Sequence, residues 1–125
     1  MTRDDLTALI ARVEVAAVAE QSDVLAAALM AARKAGWFAA KQYSSALRML
    51  AASAYESAAM TLVPEGWRVY RMERLSCAPD AEWRADIIKT YGSVGQNARA
   101  SHLAPALALT AAALRARLAQ MGDGA

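Results

Sequence analysis

The sequence predicts a small α+β protein in which alanine-rich helices are layered around a short antiparallel hairpin or sheet, in an α-β-α sandwich-like arrangement. The spacing of the apolar residues supports this class. From residue 4 to residue 63 they recur every three or four positions, which is typical of helices that pack on one face. Between residues 67 and 91 they alternate as in strands, and helical spacing returns from residue 103 to residue 120. At 125 residues the chain is expected to form a single domain.

The switch between the two patterns lies at residues 62–67, which read LVPEGW. Pro64 lacks an amide proton and disfavours a helical Val63, so a helix arriving here should stop. Gly66 suits a tight reversal because it tolerates a positive φ. Trp67 then either anchors the turn in the core or offers a ring on which a ligand stacks.

Three helices are predicted before this switch and one after the hairpin. The last helix carries a leucine face and an alanine face, so we expect it to be sandwiched between other elements. The predicted helices run from about Asp4 to Glu20 with Thr2 as cap, from Ser22 to about Gly36, from Ser44 or Ser45 to Pro64, and from a start between Ser101 and Pro105.

Two strands are predicted, at Arg68–Leu75 and Glu82–Tyr91, and they pair as an antiparallel hairpin. In the first strand, strict alternation places Tyr70 and Met72 on one face and Val69 on the other. The glycine-containing segment after the second strand is expected to be a loop. A lone hairpin is marginal in water, so it should lie on the helices, and its exposed edge could pair with a second subunit.

Composition argues against several classes of protein. The net charge of +2 is too small to indicate a nucleic-acid partner by itself. Cys77 and His102 are the only residues of their types, which excludes an internal disulfide and leaves no recognisable set of metal ligands. No phosphate-binding glycine loop is present, and nothing marks a serine as a nucleophile. We therefore expect no enzymatic activity, no cofactor and no metal.

The N-terminal residues do not form a signal peptide, and no uncharged apolar run reaches the ~20 residues of a membrane span. We expect a soluble cytoplasmic protein without a membrane or nucleic-acid partner. Much of the apolar content is alanine, which buries little area per residue. A homo-oligomer would supply additional buried surface.

Arginine and aromatic side chains are concentrated in the predicted hairpin. Guanidinium groups bind phosphates or carboxylates, and aromatic rings stack on bases or pack against a protein partner. Nearby acidic residues could instead balance these charges on a solvated strand face. The candidate ligand- or partner-binding residues are Trp67, Arg68, Tyr70, Arg71, Arg74, Trp83, Arg84, Lys89 and Tyr91.

Two segments together resemble a known family. They are YESAAMTLVPEGW (residues 55–67) and APALALTAAALRAR (residues 104–117), separated by a short region that contains Trp83. The pair is similar to small bacteriophage and prophage proteins of the phage ABA sandwich family, although residues 22–50 depart from the family's pattern. The resemblance implies an α-β-α layering and a phage origin, and it brings no catalytic residues.

These features predict a phage- or prophage-encoded binding protein that acts in host interaction or anti-defence. It would bind a host protein or sequester a small signalling nucleotide. The alternative is a non-catalytic structural or assembly module that forms a homo-oligomer without a ligand.

Overall fold

The computed structural model of the chain describes residues 1–90 and 96–123. The strands β1 (Trp67–Arg74), β2 (Trp83–Lys89) and β3 (Asn97–His102) form an antiparallel sheet in the order β1-β2-β3. This combination of elements confirms the predicted α+β class. The helices are α1 (Arg3–Val15), α2 (Gln21–Lys34), α3 (Ala40–Ala51), α4 (Tyr55–Met60) and α5 (Pro105–Asp123), with a short 3-10 turn at Val18–Glu20.

Helix α5 is the middle layer of the fold. It packs against β2 and β3 and also against α1, α2 and α4. Every residue from Ala106 to Leu114 is buried, because the many alanines let neighbouring backbones approach the helix from all sides. The helix is therefore sandwiched between other elements, as its two apolar faces predict.

Helix α1 begins as predicted and ends early. The Thr2 hydroxyl accepts a hydrogen bond from the Asp5 amide at 3.0 Å, and the Asp5 carboxylate accepts one from the Thr2 amide at 3.1 Å. The hydrogen bond from the Thr2 amide, together with the nearby Thr2 hydroxyl, lowers the pKa of the Asp5 carboxyl group. The helix ends at Val15 and not at Glu20, because the Glu20 carboxylate accepts a hydrogen bond from the Ala17 amide at 2.9 Å and starts a separate turn.

The predicted third helix is two helices, α3 and α4. Helix α3 begins at Ala40, earlier than the predicted serine start, since the Gln42 side chain accepts a hydrogen bond from the Ala39 amide at 2.8 Å. The break follows at Ser53, whose φ of 59° is left-handed. Glycine is the usual residue in that conformation. A serine there gives the sequence no visible stop signal.

Replacing Ser53 by glycine should therefore stabilise the protein by about 0.5–1 kcal/mol, because glycine adopts a positive φ without steric cost. Urea unfolding of both proteins measures the difference. Ser57→Gly, placed inside α4, is the matched control and should instead destabilise by about 0.5–1 kcal/mol. A loss of stability in Ser53→Gly would contradict this account of the break.

Strand β3 is the element that sequence analysis missed. Burial alternates along β3 with a period of two, as expected of a strand with one face in the core. The buried residues are Ala98, Ala100 and His102, and the residues between them are more exposed. Alanine has a weak strand preference, which hides this period in the sequence. The predicted loop before β3 falls mostly on residues 91–95, which lie outside the described residues.

A bulge in β1 changes which of its side chains face the core. Val69 pairs with Ile87 and Arg71 with Asp86, which leaves Tyr70 without an opposite residue. Val69 and Met72 consequently lie on the same, core-facing side of the strand. The prediction from strict alternation, which placed Val69 and Met72 on opposite faces, is wrong because it allowed for no bulge.

Candidate binding surface

The candidate residues of the hairpin are divided between the two faces of the sheet. Trp67 and Trp83 lie on the face that packs against the helices, whereas Arg68, Arg71 and Arg84 lie on the outer face. Lys89 is half-buried opposite Trp67, and Tyr91 lies outside the described residues.

Trp67 belongs to the hydrophobic core. Its side chain is only 8% exposed, and it packs among the buried residues of the helices and strands. This placement supports its interpretation as the anchor of the turn, since a ring this deeply buried offers no face to a ligand.

A chain of alternating charges crosses the outer face of the sheet. Arg71 lies 3.6 Å from Glu73, and Glu73 also pairs with Arg84 on the neighbouring strand. Arg84 lies 3.6 Å from the buried carboxylate of Asp86, which in turn pairs with Arg99 on β3. The attraction of Glu73 raises the pKa of Arg71. An external phosphate would have to compete with these carboxylates for the same guanidinium groups.

The other two arginines of β1 differ in their contacts. Arg74 donates hydrogen bonds to the carbonyl oxygens of Ala78 and Pro79, at 3.0 and 3.3 Å. These bonds fix the loop that connects β1 with β2. Arg68 is exposed and forms no ion pair within the described part of the chain. Its charge is available to a partner.

An apolar cleft of about 350 Å³ opens beside β1, on the side of the sheet that faces the helices. It exists because α5 covers β2 and β3 but leaves the core-facing side of β1 partly open. Met60, on α4, is 47% exposed at its wall. We call this feature the β1 cleft; it is lined by Glu56, Met60, Val69, Met72, Trp83, Pro105 and Leu109.

The cleft borders an open edge of the sheet. Within residues 1–90 and 96–123, strand β1 is the first of three strands and pairs only with β2. The opposite edge strand, β3, is tied to α1 because the His102 Nε2 atom lies 2.7 Å from the Ala16 carbonyl oxygen. An edge strand presents backbone N–H and C=O groups to which another chain can pair.

Sequence analysis identified only Trp83 among the residues that line the β1 cleft. Apart from Glu56, the others are apolar residues at helical or strand spacing, a pattern typical of core positions. The one usable signal was a pair of methionines, Met60 and Met72, close to the turn at Pro64.

Within residues 1–90 and 96–123, no group of His, Cys, Asp and Glu side chains is arranged to hold a metal ion. No helix in those ranges is both long and apolar enough to cross a membrane. A comparison of the chain with protein-family models, curated proteins and solved structures finds no match. The resemblance to the phage ABA sandwich family therefore stays a prediction.

Proposed function

We propose that this protein acts by binding another protein and not by catalysis, and that β1 with the β1 cleft is its binding surface. One observation carries the proposal: an apolar cleft runs alongside an edge of the sheet that pairs with no other strand in the described part of the chain. Open apolar surface of this kind marks interaction sites. We place the role in the cytoplasm of a host bacterium, in host interaction or anti-defence, because the sequence resembles phage and prophage proteins.

The charges on the outer face favour a protein over a small nucleotide. Arg71, Arg84 and Arg99 already pair with carboxylates of the same chain. The β1 cleft is lined mainly by apolar side chains, and its one charged residue, Glu56, would repel a phosphate. Nucleotide sequestration consequently has less support than protein binding.

The second candidate is an assembly module that forms a homo-oligomer without a ligand. The same open edge of β1 favours it, because a second copy could extend the sheet. The two candidates differ in what occupies the surface, and that difference can be measured.

A photoreactive amino acid at position 60 tests the proposal in cells that naturally produce the protein. We expect one adduct whose added mass belongs to a different polypeptide, because Met60 lies at the wall of the β1 cleft. Position 30 is the matched control, since Met30 is 50% exposed on α2 and Met60 is 47% exposed on α4.

Met72→Gln should lower the yield of this adduct by about fivefold, since it replaces an apolar wall of the cleft with a polar one. Circular dichroism checks that the variant is folded. Equal adducts at positions 60 and 30, or an adduct that only links two copies of this chain, would contradict the proposal.

A further inference from the structure

We propose that the partner contributes an extended segment that adds to β1 as a fourth strand, in which apolar residues alternate with acidic residues. The apolar side chains enter the β1 cleft, and the acidic side chains face the arginines on the outer face. This inference rests on the proposed function and specifies the chemistry of the partner.

The backbone of β1 provides the pairing. The strand is eight residues long and one of its two edges pairs with β2. In binding by strand addition, main-chain hydrogen bonds supply affinity, and pockets for every second side chain supply specificity. The β1 cleft is such a pocket, on one side of the strand only.

The core-facing side of the added strand should carry apolar residues. Val69 and Met72 lie on that side of β1, and Met60 reaches the same space from α4. A neighbouring strand places every second side chain next to Val69 and Met72. Leucine, methionine or phenylalanine would fill the cleft, since flexible methionine side chains adapt to different apolar shapes.

The outer side of the added strand should carry acidic residues. Arg68 lies on that side of β1, exposed and without an ion pair within the described residues. Arg71 lies on the same side and is exposed too, although it also contacts Glu73. Glu73, the one acidic residue of the strand, is engaged by Arg84 and Arg71. Opposite charges on adjacent strands attract, by about 0.2–1 kcal/mol for each pair.

A second copy of this chain fits β1 less well, because of the bulge. Suppose that two copies pair antiparallel along the full length of β1, with their hydrophobic cores on the same side of the joined sheet. Trp67 of one copy would then lie opposite Arg74 of the other, and Val69 opposite Met72. The bulged residue drops out of the alternation, so Arg71 then lies opposite Arg71 of the second copy. Arg68 lies opposite Glu73, but that carboxylate is already engaged by Arg71 and Arg84 of its own chain. Like charges directly opposite each other destabilise a strand pair, and bulges and charges on edge strands discourage self-pairing.

Selection from an unbiased library of nine-residue peptides, displayed against the folded protein, tests the partner chemistry. We expect the enriched peptides to alternate apolar and acidic residues. Arg68→Glu should weaken the best peptide by about threefold to tenfold, since an attraction becomes a repulsion. Replacing the acidic peptide residue that lies opposite position 68 by lysine should restore the affinity for the Arg68→Glu variant. Lys41→Glu, the same charge change on α3, should leave binding unchanged.

N-methylation of the best peptide tests strand addition itself. Methyl groups on alternate amides should abolish binding, because those amides donate to β1, whereas methyl groups on the remaining amides should be tolerated. The inference would be overturned if the selected peptides did not alternate apolar and acidic residues. It would also be overturned if the effect of N-methylation did not alternate along the peptide. If such peptides no longer bind the Met72→Gln variant, only the strand-addition inference fails, and the proposal that the β1 cleft binds another protein still holds. If no peptide is enriched and position 60 crosslinks only to a second copy, both fail.

Discussion

Replacing His102 by alanine should destabilise the fold by about 3 kcal/mol, because it removes a buried ring that joins three elements. The Nδ1 atom accepts a hydrogen bond from the Ala104 amide at 2.8 Å, so the proton of the neutral ring is on Nε2. Nε2 then donates to the Ala16 carbonyl oxygen at 2.7 Å, where α1 ends. Alanine leaves the buried Ala104 amide without a partner. Denaturant unfolding measures the loss.

His102→Asn separates the two bonds of this histidine. The asparagine oxygen lies close to the position of Nδ1 and can accept from the Ala104 amide, but the shorter side chain does not reach Ala16. We expect about half of the stability lost in His102→Ala to be recovered. If His102→Ala cost less than about 1 kcal/mol, the histidine would not be the link between α1, β3 and α5.

Ala112→Leu should destabilise the protein by about 1–3 kcal/mol, because it inserts additional carbon atoms into the fully buried surface of α5. Ala112 has no exposed surface, and the same is true of Ala111 and Ala113 beside it. The neighbouring sheet and helices would have to move apart to admit a leucine. Thermal or urea unfolding compares the variant with the parent protein.

Ala119→Leu is the matched control on the same helix. Ala119 is exposed near the end of α5, so a leucine there has room in solvent and should change stability by less than about 0.5 kcal/mol. Equal effects at positions 112 and 119 would contradict the description of α5 as a tightly packed middle layer.

The helical part of the fold was largely predictable from the sequence. Helix α5 could be placed because leucines and alanines cover two faces at helical spacing, and Thr2 correctly indicated the start of α1. A helix can be predicted from the sequence when its capping residues or its apolar spacing lie within one continuous segment of the chain. The break at Ser53 was missed, because its left-handed conformation is imposed on a residue that does not favour it.

The sheet and the candidate surface were predictable only in part. The bulge at Tyr70 depends on pairing with β2, and strict alternation cannot reveal it. The arginines of the hairpin were identified, but their pairing with Glu73 and Asp86 requires the register of three strands. The β1 cleft depends on how far α5 and α4 extend over the sheet, which is a property of tertiary packing.

Native mass spectrometry of the protein purified from cells that naturally produce it, before and after denaturation, tests the central claim most directly. We expect the folded protein to carry one different polypeptide that is released on unfolding, and we expect Met72→Gln to lose it. An oligomer of this chain alone, unaffected by Met72→Gln, or a bound small molecule in place of a polypeptide, would contradict the claim that β1 and its cleft bind another protein.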